Sequence, residues 1–92
     1  MKYALQLSPT AEKDLDFFRN TGNAKLVNKI VVLFSELQQH PRTGTGKPKQ
    51  LTGDLSGYWS RRIDLKNRMI YKIVENVLTV EVLSLKGHYS DK

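Results

Sequence analysis

Several side chains in this 92-residue sequence could together handle a phosphate: lysines at Lys47 and Lys49, arginines at Arg62 and Arg68, a further lysine at Lys72, and the pair His88 and Tyr89. A guanidinium is planar, donates bidentate hydrogen bonds and stays charged at any accessible pH, so two of them on neighbouring strands make a phosphate clamp. Histidine titrates near neutral pH and is the default general acid or base beside such a clamp. A tyrosine can stack on a base or hydrogen-bond a phosphate. Each group also has a plainer reading. Arg62 and Arg68 could be salt-bridged to Asp64 or Glu81, and a lone histidine near a terminus is usually a solvated side chain, a reading that His40, just ahead of Pro41, fits well.

Strand parity sorts these residues, because neighbours along a strand face opposite sides. Trp59, Arg61 and Ile63 share one side, and Tyr58, Ser60, Arg62 and Asp64 share the other. Trp59 and Ile63 read as core, so Arg62 is assigned to the open face and Arg61 to a rim or a structural pair. On the next strand Met69, Tyr71 and Ile73 are expected inside, which leaves Arg68, Ile70 and Lys72 on the open side with Arg62. Lys47 and Lys49 point to one side if the chain is extended there. The stretch Gly44-Thr45-Gly46-Lys47-Pro48 is not a phosphate loop, since it lacks the upstream glycine and the Ser/Thr after lysine; it reads as a turn from helix to sheet.

The elements that must carry these groups follow from periodicity. Residues 2–7 alternate as a strand, and Ser8-Pro9 then supplies an N-cap and a first-turn proline. Ala11, Leu15 and Phe18 form one helix face up to the break at Asn20-Thr21-Gly22-Asn23. A second helix from Ala24 to about Gln39 carries Leu26, Ile30, Leu33, Phe34 and Leu37, and Pro41 ends it. Segments 58–64, 68–74 and 78–85 are β-rich and closely spaced. The expected fold is α+β in two layers: an N-terminal strand, an antiparallel helix pair covering one sheet face, then an antiparallel β-meander whose other face is left for function.

Composition agrees with a single domain over residues 1–92 that meets a polyanion or an acidic protein. The net charge is +6. Between residues 41 and 72 the basic side chains Arg42, Lys47, Lys49, Arg61, Arg62, Lys66, Arg68 and Lys72 face only Asp54 and Asp64. The sequence has no cysteine, and its two histidines are far apart, so neither a disulfide framework nor a zinc site is expected. No apolar run matches a signal peptide or a membrane span, and a cytoplasmic protein is expected.

Gly46-Lys47-Pro48, the string Leu55-Ser56-Gly57-Tyr58-Trp59-Ser60-Arg61-Arg62-Ile63, then Asn67-Arg68-Met69-Ile70-Tyr71 and finally Gly87-His88-Tyr89 together resemble the YoeB/Txe toxins of the RelE/ParE superfamily. The resemblance covers nearly the whole chain. It implies the toxin of a type II toxin–antitoxin system: a ribosome-dependent endoribonuclease that cuts messenger RNA in the A site by 2′-hydroxyl attack, giving a 2′,3′-cyclic phosphate without metal or cofactor. The implied partners are the ribosome and mRNA, an acidic YefM-like antitoxin, a second copy in a homodimer, and operator DNA only as the toxin–antitoxin complex. Arg68, His88 and Tyr89 match the family's catalytic positions, and Arg62 and Lys47 match supporting basic ones.

One departure stands out. Family members usually place a glutamate, the presumed general base, directly after the Lys-Pro pair, where this chain has Lys49. Three roles fit it: a base whose pKa is depressed by the surrounding cations, an electrostatic stabiliser with His88 as the base, or the mark of a weakened toxin that serves in binding and autorepression. A gyrase-inhibiting toxin of the ParE branch is the alternative on the same fold.

Overall fold

The computed structural model describes residues 2–87. Strand β1 (Ala4–Leu7) is followed by helix α1 (Pro9–Asn20) and helix α2 (Ala24–Gln39); the chain then forms β2 (Lys49–Gln50), β3 (Trp59–Arg62), β4 (Arg68–Val74) and β5 (Thr79–Ser84). Side chains set the helix boundaries. Ser8 Oγ accepts from the Ala11 amide at 3.0 Å and donates to the Leu83 carbonyl at 2.6 Å, so one residue caps α1 and ties its start to β5. Asn23 Oδ1 caps α2 through the Leu26 amide at 3.2 Å. No helix among the described residues is long and apolar enough to cross a membrane.

The sheet runs in the order β1-β5-β4-β3-β2. Strands β2 to β5 pair antiparallel with their neighbours, as the meander reading expects. The first strand makes the sheet mixed, because β1 lies parallel to β5 with Ala4 opposite Thr79. Parallel neighbours require a long connection, and the chain from α1 through β4 supplies it. The edge strand β2 is only two residues long, which leaves little unpaired backbone at that side.

Between helices and sheet, Ala11, Leu15 and Phe18 of α1 and Leu26, Ile30, Leu33 and Leu37 of α2 meet Ile63, Met69, Tyr71, Val80, Val82 and Leu85. Their spacing follows the helical and strand periods, so each element buries the face its sequence predicts. Ile70 departs from expectation. Parity puts it on the open side, yet it is 4% exposed. It sits on the central strand, between Ser60 and Ser84 on the flanking strands and between Arg68 and Lys72 on its own, which leaves little of it in water.

Tyr71 carries a polar tip through this core. Its hydroxyl donates to the Pro41 carbonyl at 2.8 Å, and burial raises its pKa despite the opposing effect of the Arg61 guanidinium 5.9 Å from the ring centroid. Tyr71→Phe should keep the packing but leave that carbonyl without its donor. We expect a loss of about 1–2 kcal/mol, read as a thermal midpoint roughly 5–10 °C lower for a domain of this size.

Candidate nucleic-acid interface

The β3–β4 hairpin builds the centre of the basic face. Its turn is closed by Asp64, whose carboxylate accepts from the amides of Lys66 (2.9 Å) and Asn67 (2.8 Å) and from Asn67 Nδ2 (3.1 Å). That turn sets a register in which Arg62 lies directly opposite Arg68, with Ser60 opposite Ile70 beside them. Directly paired residues project from the same side of a sheet, so both guanidiniums belong to the helix-free face. Asp64 is occupied by the turn, and Glu81 pairs with Lys72 at 3.8 Å. Among the described residues, neither Arg62 nor Arg68 has an ion-pair partner.

The neighbouring segments extend the row on both sides. Lys49 is opposite Ser60, hence on the same face, and both Lys47 and Lys49 are exposed. The Gly46 carbonyl accepts from the Arg62 amide at 2.7 Å, which brings the residue before Lys47 against β3. On the other flank the Arg68 amide donates to the Gly87 carbonyl at 2.7 Å, and the Gly87 amide donates to Asn67 Oδ1 at 2.7 Å. Asp14 of α1 secures the same segment by accepting from the amides of Leu85 (2.9 Å) and Lys86 (3.1 Å). His88 and Tyr89 lie outside the described residues; the chain that leads to them is fastened beside Arg68.

Lys72 is more committed than its neighbours. Its ammonium is shared between Glu81 and the ring of Tyr58, 5.7 Å from the centroid. It contributes positive charge to this face with part of that charge already answered.

Arg61 resolves as a structural pair, not a rim residue, and it is fully buried. Its guanidinium donates to Glu36 Oε1 (2.8 Å), the His40 carbonyl (3.0 Å) and the Thr43 carbonyl (2.8 Å). Glu36 accepts in addition from the amide (2.8 Å) and hydroxyl (2.7 Å) of Thr45. Burial pushes the Glu36 carboxyl up, but the Thr45 hydrogen bonds and the Arg61 charge outweigh it and hold the group below the usual carboxylate range. Sequence reasoning passed over Glu36, Thr45, Asp14 and Asn67. The one local signal was an acid, Glu36, set between the buried Leu33 and Leu37 on the core side of α2.

The helix-free face thus gathers Lys49, Arg62, Arg68 and Lys72 by strand pairing, with the residue before Lys47 held beside them, and a concentration of positive charge of this kind attracts anions. Comparisons with known proteins bear on the family and the fold. A family model described as the YoeB-like toxin of bacterial type II toxin–antitoxin systems matches residues 7–89. A Toxin YoeB from Mycobacterium bovis is 37% identical over 86 residues, covering 94% of this chain and 98% of the relative. A Toxin YoeB from Streptomyces coelicolor is 42% identical over 68 residues, 74% of this chain and 79% of the relative. Among solved structures, a YoeB/ParE toxin from Agrobacterium tumefaciens superposes with a TM-score of 0.88 at 35% identity, over 94% of this chain and 99% of that one. The toxin in a YoeB–YefM complex from Staphylococcus aureus superposes with a TM-score of 0.81 at 33% identity, over 97% and 100% of the two chains. Sequence and fold thus converge, and the chain belongs to the YoeB family of toxins of bacterial type II toxin–antitoxin systems.

Proposed function

We propose that this protein is a ribosome-dependent endoribonuclease that cuts messenger RNA in the A site. The observation that supports it best is the facing pair Arg62 and Arg68 on the helix-free side of the sheet, with the segment leading to His88 hydrogen-bonded to the Arg68 amide. In this reading Arg68 and Arg62 hold the non-bridging oxygens of the scissile phosphate, and Lys47 and Lys49 add positive charge where negative charge develops. The exposure of Lys49 on an edge strand favours its role as a cation over that of a base. His88 then takes the proton of the 2′-hydroxyl as the 2′-oxygen attacks phosphorus. The 5′-oxygen leaves and is protonated from solvent, giving a 2′,3′-cyclic phosphate, while Tyr89 stacks on a neighbouring base. The ribosome's part is to hold the message bent so that the attack is in line.

The partner that restrains this face is, by the same reading, an acidic YefM-like antitoxin; the existence of a YoeB–YefM complex from Staphylococcus aureus supports such a partner, and a YoeB dimer from the same organism supports self-association as a second assembly. The test is cleavage of a defined message on purified ribosomes, with the product ends identified. Cuts only in the presence of ribosomes, ending in a cyclic phosphate, are expected. Lys49→Glu should lower the rate about tenfold by removing a cation. Intact message together with inhibition of DNA gyrase would overturn the nuclease reading, and a sharp rise with Lys49→Glu would overturn the role given to Lys49.

A further inference from the structure

The loop that presents Lys47 is held in a conformation that it would not keep alone. Lys47 adopts a left-handed backbone with φ of 53°, uncommon for a residue with a side chain and sustained only where the surroundings impose it. Those surroundings are specific. The Arg61 guanidinium gathers the carbonyls of His40 and Thr43, and Glu36 fixes the backbone and hydroxyl of Thr45. Tyr71 lies under Arg61 and holds the Pro41 carbonyl, so every second residue or so from 40 to 45 is fastened.

The glycines show how closely the loop is pressed onto this anchor. A Cβ on Gly44 would lie 2.5 Å from Glu36 Oε1, and one on Gly46 would lie 2.6 Å from the Arg62 carbonyl and 2.7 Å from Arg61 Cγ. Any side chain there would push the loop off β3 and off the pair beneath it. The same strand therefore does two jobs on its two faces. Arg61 points inward and grips the loop; Arg62 points outward, and its amide donates to the loop's Gly46 carbonyl.

We propose that Glu36, Thr45 and Arg61 are positioning residues that set Lys47 and Lys49 on the phosphate-binding face. The proposal rests on the reading of those lysines as part of the RNA site. Arg61 is a charged residue kept in the core for the geometry it imposes on a loop, and Thr45 is its exposed end. A loop released from Thr45 still has its lysines but no longer holds them at a fixed distance from Arg62 and Arg68, and misplacement of this order is enough to slow catalysis.

Thr45 is the site at which to test this, since it is exposed and its hydroxyl can be removed without opening the core. Thr45→Val is expected to lower ribosome-dependent cleavage about tenfold, and Thr45→Ser, which keeps the hydroxyl, to recover most of that loss. A Lys47→Ala, Lys49→Ala double variant should also be impaired, and adding Thr45→Val to it should cost nothing more, because the residue acts only through the lysines it places. Multiplying losses in the triple variant, or parental cleavage by Thr45→Val while the lysine variant is impaired, would overturn the positioning role. Parental cleavage by the lysine variant itself would instead overturn the site reading on which the proposal stands.

Discussion

Arg68→Ala is expected to reduce cleavage of ribosome-bound message by about 10²- to 10³-fold, the usual cost of removing a fixed group that stabilises transition-state charge. The effect should be large because Arg68 is half-buried and stands directly opposite Arg62, so that its guanidinium is held beside a second one on the same face. Its structural contribution is separable. The bond that fastens the C-terminal segment uses the Arg68 amide, which alanine retains, so the fold and the thermal midpoint should be little changed. His88→Ala should give a loss of similar order by removing the proton acceptor, about 10²-fold or more. Single-turnover cleavage on programmed ribosomes measures both variants. Undiminished cleavage by the two would show that the chemistry is carried elsewhere on the protein.

Arg61→Ala should act on the other face of the same strand and by a different route. The guanidinium is fully buried and answers one carboxylate and two carbonyls, and truncation takes its hydrogen bonds from all three, leaves Glu36 without its countercharge and opens a void beside Tyr71. Breaking a buried charge pair by removing one partner costs about 3–5 kcal/mol. Small domains have roughly 5–15 kcal/mol in total, so the midpoint should fall by about 15 °C or more. Thermal unfolding followed by circular dichroism checks this, and a change of only a few degrees would show that the pair is dispensable. The acid limb gives a second readout. Glu36 has a lower pKa folded than unfolded, so its contribution is complete above the ordinary carboxylate range and is lost as pH falls through the depressed value. Glu36→Gln, which can still accept from Thr45, should flatten that part of the stability–pH curve.

Much of this was legible from local patterns, because local patterns are what caps and periodicity are. Ser8-Pro9 and Asn23 start the helices where expected, and the Leu26, Ile30, Leu33, Leu37 stripe is the buried one. Strand parity separated Arg61 from Arg62 before any coordinates, since consecutive strand residues cannot share a face. What escaped depends on distant parts of the chain meeting. The parallel pairing of β1 with β5 cannot be read from either strand, nor can the meeting of Glu36 with Arg61 across a helix end and a loop. Ile70 lies on the side that parity gives it and is nonetheless buried, because parity gives the side of a sheet and not the depth of cover on it. The two-residue spacing of Lys47 and Lys49 puts them on one side only in an extended chain, and Lys47 is left-handed, so it is the pairing of Lys49 with Ser60 that places Lys49 on this face.

The pairing of Ala4 with Thr79 joins the two ends of the sequence in one sheet, and this bears on how the protein comes into being. Contacts of such long sequence separation form late, and a nascent chain is made from its N-terminus. Until β5 has emerged, β1 has no partner, β4 is an open edge, and the apolar faces of both helices have only part of their cover. The β3–β4 turn can align Arg62 with Arg68 as soon as that hairpin has been made, because their pairing is local. What waits for the last strand is the segment from Leu85 to Gly87, which reaches Asp14, Asn67 and the Arg68 amide only after β5 has been made.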